Sequence, residues 1–320
     1  MDQVILDYIV NTPKAELHMH LEGSLEANLM FKLAQKNDIK LPYNSLLDLK
    51  KAYSFNNLQD FLNLYYQGMS VLKDEEDFFE LAYNYFKKAN ENKVSYVEMF
   101  IDPQAHMMRN VSLDSIFVGI NRAINLAKQD FNLDVNLIIC FLRHLNESDA
   151  LNAFDKLMNY RKYFIGIGLD STELGNPPSK FKNLFNIARN EGLKLTAHAG
   201  EEGPSSYVWE ALDILGVDRV DHGNAIYDDL DLIKRIAKDK ITLTMCPLSN
   251  QKLKVVKDLS HHQAYILLEK GVIVTINSDD PAYFGGYINQ NIIELVKFGN
   301  LSFNDVKSVI NNSIVSVFNK

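Results

Sequence analysis

The chain has 320 residues, a formal net charge of −8, a pI near 5.5 and 47% hydrophobic residues. It can bury a substantial core, and its acidic balance advertises no face for nucleic acid. No apolar run reaches the ~18 residues of a membrane span, and residues 1–7 lack the basic and apolar segments of a secretory signal. These features describe a cytoplasmic chain with neither nucleic acid nor membrane as partner. Cys140 and Cys246 both lie in apolar runs and read as buried free thiols of a reducing compartment.

Short apolar runs rich in β-branched residues recur along the chain, at 15–18, 94–101, 135–142, 164–169, 193–197, 219–221, 241–245 and 272–276. Several are apolar on both faces, as strands covered by helices are. Helical spacing fills the gaps: Phe181, Leu184, Phe185 and Ala188 before Gly192, then Val208, Ala211, Leu212 and Leu215 before Gly216. Gly192, Gly216 and Gly271 sit where helices should stop. Eight strands alternating with helices predict an α/β fold, a single (β/α)8 TIM barrel over residues 1–320, in preference to an open doubly wound sheet. No Gly-rich dinucleotide fingerprint follows any strand. Residues 21–92 are long for one crossover and predict a helical insertion of two or three helices over the barrel mouth. One of these spans 58–72, and its Phe61, Tyr65 and Tyr66 are candidates to wall a pocket.

The chemistry gathers at strand ends. His18 and His20 close the first strand and, two apart, point to one side. His198 ends the fifth strand, His222 the sixth, and Asp279-Asp280 follows the eighth. The C-terminal ends of strands are where barrel enzymes place their chemistry. Imidazoles and a carboxylate around a divalent ion leave a net positive site, which lowers the pKa of water from ~15.7 to about 7. Glu201, three residues after His198 and ahead of a helix starting near Pro204, can curl back as an acid if enclosure raises its pKa. His222 and Asp280 can orient the water and take its proton. On these residues alone the reading is a metal hydrolase.

Four segments, in this order, carry a resemblance: 13–24 (PKAELHMHLEGS), 198–201 (HAGE), 221–223 (DHG) and 277–281 (NSDDP). Together they resemble the adenosine/adenine deaminase family of metal-dependent aminohydrolases. The resemblance implies His18, His20, His198 and Asp279 as ligands of one zinc ion, and Glu201 as proton donor to the purine N1. It also implies that His222 acts on the water and that Asp280 binds the substrate's reacting end. The implied reaction is hydrolytic deamination of a purine C6 amine.

Within the family, Leu21-Glu22-Gly23 and the segment 170–181 (DSTELGNPPSKF) resemble the adenine branch, as do 141–144, 201–204 and 280–287. The expected substrate is adenine, converted to hypoxanthine and ammonia in purine salvage. The alternative is adenosine or an N6-substituted adenine of cytokinin type; a silent purine-binding relative is a third reading. Glu173 is expected to accept a hydrogen bond from the imidazole N–H of the free base, and Glu22 to fill the space of a ribose. Loss of a designed polar contact discriminates by ~10⁴-fold or more. Glu202 is expected to support Glu201. His106 and His144 read as structural imidazoles, and Trp209 and Met245 as core. The pair His261-His262, at a surface-like helix start, is given no role. The sequence leaves the oligomeric state open.

Overall fold

The structure, a computed structural model, describes residues 1–299 and 301–318. Eight strands run in sequence order: β1 (Lys14–His20), β2 (Val94–Ile101), β3 (Asp134–Leu142), β4 (Phe164–Asp170), β5 (Lys194–Ala199), β6 (Arg219–His222), β7 (Thr242–Met245) and β8 (Ile273–Ile276). Each pairs in parallel with the next. Closure comes just past β8. Met19 bridges Asp279, with His20 N donating to Asp279 O at 2.9 Å and Asp279 N donating to His18 O at 3.1 Å. The expected (β/α)8 barrel is therefore present, and closing it places Asp279 beside His18 and His20.

Local signals explain where the helices begin and end. A capping box of Asp74 and Asp77 opens the helix Glu75–Glu91, and Ser112 caps the helix Leu113–Phe131. These two helices pack together, one burying Phe78, Leu81 and Phe86 among others and the other Ile116, Phe117 and Ile120. Each such side chain contributes roughly 1.5–3 kcal/mol through burial. Gly192, Gly216 and Gly271 adopt φ of +71°, +60° and +80° at their helix ends, a conformation that glycine reaches at little cost.

The insertion after β1 holds more helix than expected. After a 3-10 turn at Glu22–Ser24 come four helices, Ala27–Lys36, Leu46–Ala52, Leu58–Met69 and Glu75–Glu91. Leu46–Ala52 is only seven residues long and buries Leu49 alone, so it has almost no apolar periodicity to read. The helix Leu58–Met69 covers the mouth. Cys140 and Cys246 are buried and unpaired. Among the described residues, no helix is long and apolar enough to cross a membrane.

Candidate active site

The hydrogen-bond partners of the imidazoles decide which ring nitrogens are bare. His18 Nδ1 lies 2.9 Å from Thr244 Oγ1, and that hydroxyl donates its only proton to Asp221 Oδ1 at 2.7 Å. Thr244 must then accept from His18 Nδ1–H, which leaves His18 Nε2 with a free lone pair. His198 Nδ1 lies 3.1 Å from the Leu169 carbonyl, which can only accept, so His198 Nε2 is bare too. His20 turns Nδ1 toward Asp170 Oδ2 at 3.6 Å, a carboxylate–histidine arrangement that orients metal ligands.

The three Nε2 atoms converge. His20 Nε2 is 3.1 Å from His198 Nε2, and Asp279 Oδ1 is 3.2 Å from His18 Nε2 and 3.5 Å from His20 Nε2. The four donor atoms lie within 4.8 Å of one another and all four residues are buried. Lone pairs facing each other at this range repel unless a cation lies between them. Burial favours the neutral form of two of the rings, as ligation requires: His20 is pushed down to about 4, and His198 well below its usual range. Asp279 adds the one carboxylate of this donor set, 3.2 Å from His18 Nε2. Three neutral imidazoles and one carboxylate fit a divalent transition metal.

Backbone conformation is tuned to this end of the barrel. Asp279 and His222 adopt φ of +61° and +64°, a region that costs a non-glycine residue about 1–3 kcal/mol. A Cβ on Gly23 would fall 2.6 Å from Asp280 Cγ, so glycine lets the turn after β1 lie against Asp280.

Glu201, His222 and Asp280 stand beside the metal-ligand set. Burial first, then the charges of Asp279, Glu173 and Glu202, push the Glu201 carboxyl well above the ordinary carboxylate range, which favours its protonated form. Asp280 is pushed up by burial and by Asp279; a divalent cation on Asp279 offsets the second cause. His222 Nε2 is 3.6 Å from Glu201 Oε1 and 3.9 Å from Asp279 Oδ2, and burial pushes its pKa down to about 3.

A chain of three contacts sets the His222 tautomer. Ala264 N–H donates to His262 Nδ1 at 3.3 Å, which puts the His262 proton on Nε2, 3.3 Å from Asn250 Oδ1. Asn250 then offers Nδ2–H to His222 Nδ1 at 3.4 Å, and His222 carries its proton on Nε2. His262 is fully buried and part of the site's support, contrary to its reading as a surface residue without a role.

Of the two expected specificity carboxylates, Glu173 is engaged away from the ligand. Glu173 is fully buried, with Oε1 accepting from Gly200 N at 2.7 Å and Oε2 from Glu202 N and Gly203 N, both at 2.8 Å. Its oxygens are committed to the backbone on either side of Glu201, so they are not available to a ligand. Arg143, 3.9 Å from Glu173, donates to the His198 carbonyl at 2.6 Å. Glu22 Oε1 accepts from His106 Nε2 at 2.8 Å and Asp102 N at 3.1 Å. Its Oε2 is buried without a partner, and His106 is its structural partner. Glu202 ties the Glu201 loop to the covering helix by accepting from Leu58 N at 3.0 Å.

The cleft is lined by His20, His198, Glu201, His222, Asp279 and Asp280, and by Phe61, Tyr65 and Tyr66 of the helix Leu58–Met69. Asp102, Asp170 and Ser171 also face it. Sequence reasoning missed these three, and also Asp221, Thr244 and Asn250, because their neighbours lie on other strands. His144 Nδ1 meets Ser171 Oγ at 2.8 Å. Met245 is buried, whereas Trp209 is only half-buried and donates from Nε1 to Asp229 at 3.0 Å.

The chain is similar to known proteins over nearly its whole length. A family model described as adenosine deaminase matches residues 13–320. The adenine deaminase of Acinetobacter baylyi is 50% identical over 306 residues, covering 96% of this chain and 92% of that protein. The crystal structure of adenine deaminase from Arthrobacter aurescens superposes with a TM-score of 0.94 at 44% identity, covering 96% of this chain and 94% of that one. An amidohydrolase from Burkholderia ambifaria, solved with bound zinc, shares the fold at a TM-score of 0.91 and 24% identity, covering 100% of this chain and 89% of that one. With a buried histidine–aspartate cluster at its barrel mouth and the family model matched from residue 13 to residue 320, the chain belongs to the adenosine deaminase family of metal-dependent aminohydrolases.

Proposed function

We propose that the chain converts adenine and water to hypoxanthine and ammonia in purine salvage, with zinc as its metal. The observation that carries this reading is the bare Nε2 cluster of His18, His20 and His198 around Asp279, with the buried Glu201 carboxyl 3.6 Å from His222 beside it. The similarity to adenine deaminases at about half identity over nearly all of both chains supports the base as substrate.

His18, His20, His198 and Asp279 would hold the ion, which supplies Lewis acidity and makes water acidic enough to attack at neutral pH. The chain's own residues handle orientation and protons. Glu201 gives its proton to the purine N1, which draws electrons from C6 and makes it electrophilic. His222 donates Nε2–H to the attacking oxygen and positions it. Asp280 takes the proton that the water loses and passes it to the departing amine. The C–N bond at C6 breaks and ammonia leaves; the C6 hydroxyl gives up its remaining proton to Glu201, which restores the acid and leaves N1–H with C6=O. Groups held in place before reaction, in a site closed from water, lower the barrier without reorganisation.

A panel of adenine, adenosine and N6-alkyl adenines, followed by ammonia release, tests the assignment. Adenine should be the preferred substrate by kcat/KM. Preference for adenosine or an N6-alkyl adenine would replace it.

A further inference from the structure

Resting on the adenine reading, we propose that Asp102 is the residue that selects the free base, by accepting the N–H of the purine's imidazole edge. Asp102 follows β2 directly, is 1% exposed and faces the cleft. Tyr65 donates to its Oδ2 at 3.3 Å, while its Oδ1 is buried without a partner. Its backbone is held in place by Asp102 N donating to Glu22 Oε1 at 3.1 Å. A buried carboxylate oxygen with no donor is costly unless a ligand brings one.

The polar groups of the cleft divide into two sets. His198, Glu201, His222, Asp279 and Asp280 serve the C6–N1 edge where reaction occurs. Asp102, Asp170 and Ser171 remain for the other end of the ring system. Within that second set, Asp170 turns Oδ2 to His20 Nδ1 at 3.6 Å, and Ser171 Oγ is engaged by Tyr66 at 2.9 Å and His144 at 2.8 Å. Asp170 Oδ1 is buried without a partner as well, but Asp170 orients a metal ligand; Asp102, its neighbour, offers a free oxygen and hydrogen-bonds to no metal ligand itself.

Free adenine carries a ring N–H at its imidazole edge that fits this acceptor. A sugar or methyl on that nitrogen removes the donor and sets carbon against a buried carboxylate. The site then loses its partner and gains a clash, which is how polar pockets discriminate most strongly. Asp102 thus takes the part that Glu173, bound to backbone amides, cannot fill.

The test compares adenine with 9-methyladenine in zinc-loaded wild type, Asp102→Ala and the isosteric Asp102→Asn, with metal content measured in each. Asp102→Ala should lower kcat/KM for adenine by about 100-fold, chiefly through KM, and leave 9-methyladenine unchanged or improved. The preference for adenine then collapses. Asp102→Asn, which keeps the fold if alanine does not, should narrow the preference in the same direction. An adenine to 9-methyladenine ratio within threefold of wild type in both variants would overturn the proposal, even if both activities fall together. So would a second equivalent of divalent metal that disappears in Asp102→Asn, because the cluster with His20 and Asp170 would then be a cation site. Wild type inactive on adenine would overturn the adenine reading itself and is distinguishable from either result.

Discussion

Glu173→Gln should damage catalysis from a position that never meets the substrate. The carboxylate receives three backbone N–H groups, from Gly200, Glu202 and Gly203, and these flank Glu201. Glutamine keeps one acceptor oxygen and replaces the other with an amide that can only donate. At least one N–H is then left facing a donor. An unsatisfied buried amide costs about 1–3 kcal/mol, and each hydrogen bond to a charged group contributes about 1.5–3 kcal/mol. The loop can relieve this cost by shifting, and a shift of the loop moves Glu201. If about 2–3 kcal/mol appears as lost positioning, kcat falls by roughly 30- to 150-fold at ~1.4 kcal/mol per tenfold. Steady-state kinetics with adenine, alongside zinc content and thermal unfolding, measures this. We expect kcat to fall, KM to change little and zinc to stay bound, since none of its four donors is a partner of Glu173. A kcat within twofold of wild type in a folded, zinc-loaded protein would refute the reasoning.

Asn250→Asp should reverse the His222 tautomer, because an aspartate accepts from His222 Nδ1–H and strips the proton from Nε2. We expect kcat to fall by about 100-fold or more, by analogy with other wrong-tautomer variants, with folding intact by circular dichroism; unchanged kcat would remove the proposed role of the Nε2–H. The pH dependence follows from Glu201, whose pKa is raised by burial and neighbouring carboxylates. The proton donor works in its protonated form, so kcat should fall as pH rises through that raised value, and it should fall at low pH too, where protonation removes Asp280 as the acceptor of the water's proton. A kcat that instead climbs through pH 9 would show that the ionised form is the active one.

The barrel was legible because its strands are short, β-branched apolar runs separated by helical periodicity and stopped by glycines such as Gly192 and Gly216. The buried cluster was legible for the same reason: His18, His20 and His198 lie at strand ends, where position along the strand fixes direction. The bridge from Met19 to Asp279 joins the two ends of that reading across the chain. Glu173 was misjudged because its partners are the backbone amides of Gly200, Glu202 and Gly203, and a backbone donor leaves no mark on the sequence. His262 looked exposed because it follows Asp258-Leu259-Ser260, yet the fold turns it inward onto Asn250. The short helix Leu46–Ala52 escaped because one buried leucine makes no pattern.

The most direct test of the proposed chemistry is Glu201→Gln, assayed for ammonia release from adenine with zinc and adenine binding measured on the same protein. Glutamine keeps the size of the side chain and the binding site but has no acidic proton to give to N1. We predict zinc content equal to wild type, adenine bound with similar affinity, and turnover reduced by about 10²–10⁴-fold, the usual range for loss of a general acid. Turnover close to that of wild type would contradict the assignment of Glu201 as the proton donor.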